Sequence, residues 1–312
     1  MAVAELRFEQ HLVRGLLREQ HPDLAHLELR DVSGGWDNQQ WRLGEELAVR
    51  LPRTERAPAL LHIEQTWLPR LAGRLPLPTP APVRVGRPSS RFEHIWTIAR
   101  WVEGEPADRA PITRIEAAEI LAGFLTALHH RAPADAPANP PRGMPLSGLG
   151  PVDGWFELIA DHPHADAARE LWERAVAAPA WPGPPLWLHA DLHPANVVVR
   201  DGMLAGVIDF GDLCSGDPAF DLSAAWILLP AGAAGRFFDA YERADEATIT
   251  RARGWAVLRA LALIGIGQNG RLGRPGGKPT WEPAGYATLE RALASRGFGY
   301  GESGIRGRRR SG

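Results

Sequence analysis

The stretch from Leu188 to Asp221, LHADLHPANVVVRDGMLAGVIDFGDLCSGDPAFD, constrains the fold more than any other part of this chain. Two β-rich runs, Asn196–Arg200 and Met203–Asp209, flank Asp201-Gly202. An Asp-Gly pair between such runs is the strongest short-range signal for a hairpin, because the tight turn needs positive φ at positions these residues tolerate. A hairpin returns its outer ends to one place. The sequence therefore predicts Asn196 and Asp209 side by side, with Asp191, on the loop just before, facing them. Two oxygen-bearing side chains together and one carboxylate opposite suit Mg²⁺ and phosphate. Mg²⁺ is usually held by one or two protein oxygens plus substrate phosphates, which leaves the separate carboxylate to take the proton of an attacking hydroxyl.

A loop Asp, its Asn and a second Asp in that order is the arrangement of kinases. Here the loop reads His189-Ala190-Asp191, and Ile208–Asp212 contains Asp-Phe-Gly intact. On HADLHPAN and IDFGD the chain resembles the aminoglycoside phosphotransferase and choline kinase-like family, the small-molecule branch of the protein-kinase-like fold. The resemblance implies an α+β fold of two lobes, a small antiparallel β-sheet lobe and a larger, mainly helical one. It also implies ATP or GTP and Mg²⁺ as cofactors, Asp191 as the catalytic group, Asn196 and Asp209 as metal ligands, and a small hydroxyl compound as acceptor.

The upstream sequence supplies a small lobe in the order this requires. Residues 5 to 20 read as an amphipathic helix, with Leu6, Leu12, Val13, Leu16 and Leu17 on its apolar stripe. Leu27–Val32, Gln39–Leu43 and Leu47–Leu51 read as an antiparallel meander, with Gly34 and Gly35 in its first bend. A Gly-Gly pair by itself is an ordinary turn. In the family such a loop approaches the nucleotide phosphates, and the resemblance assigns that role to Gly34 and Gly35.

Arg50 stands where the family and the protein kinases carry a lysine on the third strand. Fixed positive charge is what that position requires, and arginine provides it with a bidentate fork. The chain holds a single lysine, Lys278, among 35 basic residues, so arginine has replaced lysine nearly throughout. Glu64 follows fourteen residues later on a helix predicted from Ala59 to Leu71, in the place of the glutamate that pairs with the nucleotide-binding cation. Four prolines make Arg74–Pro82 irregular, and Pro82–Gly86 and His94–Trp101 complete five strands. Val102–Pro106 reads as the connector between lobes, and the resemblance implies nucleotide contacts at Trp101 and Val102. The lobes expected are residues 1–102 and 103–296, followed by a Gly- and Arg-rich, disordered tail from 297 to 312.

The large lobe reads as helices over Thr113–His130, from Pro151 to before Pro163, Ala165–Ala177, Ala219–Pro230, Gly235–Glu242, Ala247–Ile266 and Pro283–Ala294. Arg131–Pro145 is Pro/Ala-rich and loop-like. Asp153, Glu157 and Asp161 fall at i, i+4 and i+8 and form either a surface for a cationic substrate or a solvated face. Asp212 and Asp217 lie where the family places substrate-facing acids, although Asp217 before Pro218 also has the signature of a helix start. Together these acids lean toward a cationic acceptor such as an aminoglycoside.

Two motifs compete. Gly265-Ile266-Gly267-Gln268-Asn269-Gly270 matches the dinucleotide G-x-G-x-x-G pattern but follows an apolar helix, so it reads as helix termination. His189, Asp191 and His193 at alternate positions suit a transition metal, and a metal-dependent hydrolase is the alternative function. A catalytically weak nucleotide-binding protein is a third reading, motivated by Arg50. No H-E-x-x-H, G-x-S-x-G or Walker A lysine motif is present.

Composition narrows the field. Apolar residues make up 45% and charged residues 23%, the proportions of an ordinary globular protein. A net charge of −2 gives no case for nucleic acid as partner. The lone Cys214 excludes an intrachain disulfide and fits a reducing cytoplasm. The first ten residues lack an apolar signal core, and the longest apolar run, near Trp255–Ile266, is too short to span a membrane.

Overall fold

Five strands in the order β1-β2-β3-β5-β4, every neighbouring pair antiparallel, form the sheet of the small lobe. They are β1 (Leu29–Val32), β2 (Asn38–Leu43), β3 (Leu47–Pro52), β4 (Pro82–Gly86) and β5 (Trp96–Arg100). These come from a computed structural model that describes residues 7–32 and 34–294. Leu6, the tail expected from 297 and Ser33 of the glycine turn lie outside the described residues.

Helix α1 (Gln10–Gln20) covers one face of this sheet, burying Val13, Leu16 and Leu17 against Leu43, Val49, Leu51, Trp96 and Ile98. It starts later than its apolar spacing predicts. Phe8 exchanges both backbone groups with the Gln39 side-chain amide, at 2.7 and 3.0 Å, and lies outside the helix. Helix α2 (Ala57–Leu71) carries Glu64 toward the sheet, while its Trp67, Leu68 and Leu71 belong to the large-lobe core. The Trp67 and Trp187 rings meet at 5.0 Å, so α2 joins the two cores.

The connector is not a free hinge throughout. Its end, β6 (Glu105–Pro106), pairs with β8 (Val197–Arg200), which pairs with β9 (Met203–Val207). Asp201 and Gly202 at the β8–β9 turn have φ of 53° and 74°, the double positive φ that the Asp-Gly pair predicts. β9 ends two residues before Asp209, yet Ile208 still donates to the Asn196 carbonyl at 2.9 Å. The second small ribbon pairs β7 (Leu186–Leu188) with β10 (Cys214–Gly216).

Helices α3 (Ala117–Leu128), α4 (Pro140–Gly143), α5 (Asp153–Phe156), α6 (Ala165–Ala177), α7 (Ala219–Leu222), α8 (Ala224–Ile227), α9 (Ala233–Tyr241), α10 (Glu246–Arg271) and α11 (Trp281–Ala294) complete the large lobe. α3 begins after Thr113 and Arg114 because both of their N–H groups bond to the Gly202 carbonyl at the hairpin turn. The helix expected from Pro151 is only the single turn α5 followed by a 3₁₀ turn over Glu157–Ile159, so Asp153, Glu157 and Asp161 share no regular helix face.

The G-x-G-x-x-G run does not end α10, which continues to Arg271 and stops before Gly273, at φ 66°. The glycines permit close packing instead. A Cβ on Gly267 would collide with the backbone of Glu282, one on Gly270 would lie 2.5 Å from Pro279 N, and one on Gly285 would lie 2.7 Å from Ala260 O. Among the described residues no helix is long and apolar enough to cross a membrane.

Candidate active site

A cleft of about 320 Å³ runs between the lobes. It is lined at one end by Ala48, Ala99, Trp101, Val102 and Gly104, and at the other by Asp191, Asn196, Asp209 and Asp212. Gly34, Gly35 and Arg50 line its small-lobe side. Gly34 and Gly35 adopt φ of 113° and 75°, and a Cβ on Gly35 would lie 2.5 Å from Asn38 O, so that bend excludes a side chain. Trp101 N donates to Glu46 O at 2.7 Å, and a Cβ on Gly206 would collide with Val102, which fixes the connector against the hairpin.

Arg50 points from β3 into the space between α2 and Asp209. Its Nη1 bonds to Glu64 Oε1, and its Nη2 lies 3.4 Å from Asp209 Oδ1. The arginine is 4% and the glutamate 1% exposed, so each charge depends on the other. Burial opposes the guanidinium charge, but Glu64 and Asp209 more than offset it and hold its pKa above the ordinary value. Glu64 Oε2 also accepts from Phe210 N at 3.2 Å, which ties the pair to the Asp-Phe-Gly turn. Asp209 itself has φ 65°, a conformation a non-glycine residue adopts only when its surroundings impose it.

The hairpin brings the three polar residues together. Asn196 Nδ2 donates to the carbonyl and to Oδ2 of Asp191, at 3.1 and 3.0 Å. Asp191 further meets Arg142 Nη1 at 2.9 Å and His193 Nε2 at 3.4 Å. Burial acts to raise the Asp191 carboxyl, and the neighbouring His193, Arg142 and Arg259 overcome it, holding the group well below the usual carboxylate range. Asp191 is therefore an ionised acceptor at neutral pH. With its nitrogen directed to Asp191, Asn196 keeps Oδ1 without a hydrogen-bond partner among the described residues. The Asp209 side chain remains 43% exposed. Two hard oxygen donors fit Mg²⁺, which takes the rest of its shell from water and phosphate.

The histidines do not form a transition-metal site. His189 is wholly buried; its Nδ1 accepts from Asp191 N at 3.2 Å and its Nε2 donates to Ile208 O at 3.1 Å, so both nitrogens are occupied. Burial lowers its pKa and keeps the ring neutral. His193 Nδ1 accepts from Ala195 N at 3.2 Å. Among the described residues no three His, Cys, Asp or Glu side chains are grouped to hold a metal. The hydrolase alternative loses its ligands.

Of the acids assigned to the acceptor, only Asp212 lines the cleft. Asp217 is 7% exposed and bonds to Arg251 Nε at 2.7 Å and Ala219 N at 3.0 Å, so it caps a helix turn and neutralises a buried arginine. Asp153 is exposed and pairs with Arg169 at 2.8 Å, and Glu157 is exposed; neither lines the cleft.

Sequence reasoning missed four residues that shape the site. Asp221, wholly buried, accepts from His189 N at 2.7 Å and Ala190 N at 2.9 Å, and His129 approaches it at 3.3 Å. It holds the loop in a shape that requires φ 64° at Ala190. A lone carboxylate inside the apolar run Ala219–Ile227 was the available signal. Arg142 comes from the segment expected to be loop. Lys278, the single lysine, places its ammonium 5.7 Å from the Trp36 ring and 5.1 Å from the Trp281 ring, a cation–π bridge from the glycine loop to α11. Trp281 also meets His193 at 4.9 Å between ring centres.

This architecture is shared with known enzymes. It superposes on aminoglycoside 2'-phosphotransferase-IIIa in complex with GDP with a TM-score of 0.65, at 18% identity, covering 92% of this chain and 99% of that one. It superposes on a macrolide 2'-phosphotransferase from Brachybacterium faecium with a TM-score of 0.58, at 20% identity, covering 87% and 97%. A homoserine kinase from Beijerinckia indica subsp. indica is 30% identical over 182 residues, which is 52% of each chain; the match thus spans about half the length of that relative. The model of the phosphotransferase enzyme family matches residues 28–261, from the edge of β1 into the middle of α10. The two-lobed, protein-kinase-like fold and that match agree: the chain belongs to the phosphotransferase enzyme family, whose members pass a phosphoryl group to a hydroxyl acceptor.

Proposed function

We propose that this enzyme transfers the γ-phosphoryl group of ATP or GTP to a hydroxyl of a small molecule, with Mg²⁺. The observation that carries the reading is the convergence of Asp191, Asn196 and Asp209 at one end of a cleft whose other end is the connector after Trp101. The nucleotide base lies against Trp101 and Val102, between a small lobe ending near Val102 and the remainder. Gly34 and Gly35 approach its phosphates, and Arg50, fixed by Glu64, steadies those that are not transferred. Asn196 and Asp209 would hold Mg²⁺, whose charge would offset that of the transferred phosphoryl group. Asp191 orients the acceptor hydroxyl and takes its proton as the new O–P bond forms and the bond from the γ-phosphorus to its bridging oxygen breaks. Catalysis rests on positioning and charge, as phosphoryl transfer generally does.

Arg50 is compatible with turnover, because it already makes the contact to Glu64 that the usual lysine would make. That observation favours an active kinase over a weak nucleotide binder. Aminoglycosides, macrolides and homoserine, named for the relatives above, are the first acceptors to test. The decisive experiment is Asp191→Asn in an ADP- and GDP-release assay with such a panel. Turnover should fall at least roughly 100-fold while Mg²⁺-dependent nucleotide binding persists. Undiminished turnover by the variant would refute the assignment.

A further inference from the structure

Lys278, the single lysine of the chain, lines the cleft beside the glycine turn. The glycine face of α10 seats it there. A Cβ on Gly270 would lie 2.6 Å from Lys278 N, and one on Gly277 would lie 2.1 Å from Gly270 N, so the segment before α11 rests directly on α10. Lys278 N donates to Ile266 O at 3.2 Å, and Trp281 N donates to Lys278 O at 3.0 Å, which fixes the backbone on both sides. Gly276, at φ 75°, comes under Trp36, where a Cβ would lie 3.1 Å from the indole ring. The large lobe thus bridges the cleft and meets the glycine turn of the small lobe, with the Trp36 and Trp281 rings 5.9 Å apart.

The half-buried ammonium is held on the two ring faces, and among the described residues no carboxylate pairs with it. Asp108, which lines the same cleft, accepts from Trp281 Nε1 at 3.4 Å instead. Arg50 and Arg56, two further cations of the cleft wall, are by contrast paired, with Glu64 and with Asp37. An ammonium has three donors and no acceptor, and ring faces attract its charge while leaving those donors for an oxygen ligand. Trp281 leads on to His193, 4.9 Å away between ring centres, and His193 Nε2 lies 3.4 Å from Asp191. Lys278 therefore stands between the glycine turn and the catalytic loop. Asp191, Asp209 and Asp212 make this end of the cleft negative, so a terminal phosphate brought there is stabilised by each cation added. We infer that Lys278 binds the γ-phosphoryl group of the nucleotide, donating to its oxygens from the large lobe, and that the Trp36 and Trp281 faces hold the ammonium until the nucleotide enters. The inference rests on the kinase reading and adds to it a second cation, supplied by the other lobe from Arg50.

The test uses the full chain, Mg²⁺ and calorimetric binding without any acceptor. The affinity for the β,γ-imido analogue of ATP or GTP is divided by that for the corresponding diphosphate, which isolates the contribution of the third phosphate. Wild type should prefer the triphosphate analogue. Lys278→Met keeps an unbranched chain against the two rings and removes the charge; it should lower the ratio roughly 10-fold, the lower end for a hydrogen bond to a charged group at a part-exposed site, and leave diphosphate affinity nearly unchanged. Lys278→Arg, which keeps both the charge and the stacking, should retain most of the ratio. A lysine that merely latches the glycine turn would weaken both nucleotides alike and leave the ratio intact. A lysine that serves an anionic group of the acceptor would leave both affinities intact. Either of these outcomes, an arginine variant as impaired as the methionine one, or a wild type without triphosphate preference overturns the inference while the kinase reading stands. Absence of Mg²⁺-dependent binding of either nucleotide by wild type overturns the kinase reading, and the inference with it.

Discussion

Replacing Glu64 by Leu tests whether the Arg50–Glu64 pair is held by mutual need. At 4% and 1% exposure, neither charge has access to water. Removing one partner from a buried pair costs about 3–5 kcal/mol, because the other charge is left uncompensated. Asp209, 3.4 Å from Arg50, remains as a poorer partner, so the lower end, about 3 kcal/mol, applies. An unfolding entropy of about 2.1 cal/mol/K per residue, over 312 residues, converts this to a fall in Tm of roughly 5 °C. Arg50→Met should cost a similar amount by stranding Glu64. The double variant strands neither charge. It leaves Phe210 N without its acceptor, a penalty of about 1–2 kcal/mol, or roughly 2–3 °C. The double variant should therefore be more stable than either single variant, and yet inactive, since Arg50 is gone. Thermal melting monitored by circular dichroism, with a nucleotide-release assay on the same samples, measures both. Strictly additive Tm losses would refute the reasoning.

Three further outcomes follow from other groups. Asp209→Asn should weaken Mg²⁺-dependent nucleotide binding by at least roughly 10-fold, measured by titration of nucleotide with and without Mg²⁺; equal weakening in both conditions would remove Asp209 from the metal site. Asp221 is opposed by burial, yet His129 and the loop N–H groups hold its pKa below the ordinary carboxylate value. A depressed folded pKa means that its stabilisation is complete above the unfolded value of about 3.9 and is lost as pH falls through the folded one, so the Tm gap between wild type and Asp221→Asn should be full at pH 7 and narrow below pH 4. Burial pushes the Cys214 thiol up to about 12, so iodoacetamide should leave the native protein unlabelled at pH 8 and label it once it is unfolded in urea.

The parts legible in the sequence were those set by neighbours along the chain. Asp201-Gly202 dictates its own turn, the turn dictates the pairing of β8 with β9, and the pairing brings Asn196 and Ile208 together. The Arg50–Glu64 pair was anticipated through the family resemblance, since a helix glutamate fourteen residues after a strand arginine does not by its spacing announce a partner. Where expectation failed, a distant contact had overridden local preference. Phe8 is drawn out of its helix by Gln39, 31 residues away, and α3 loses its first turn to the Gly202 carbonyl. The glycines at 265–270 mark a packed face that the single sequence cannot distinguish from a stop.

The sequence by itself determined the grouping of Asp191, Asn196 and Asp209, because they lie within one loop and one hairpin whose geometry is local. Only the tertiary structure decided the surroundings of that group. Asp221 reaches back 31 and 32 residues to fix the loop, Arg142 reaches 48 residues forward to the loop carrying Asp191, and Lys278 closes onto Trp36 from the far end of the chain. A side chain's charge can be read from its letter. Its partner, when brought in from tens of residues away, is fixed by the packing of whole elements, and that partner decides whether an acid remains available to a ligand or is already neutralised.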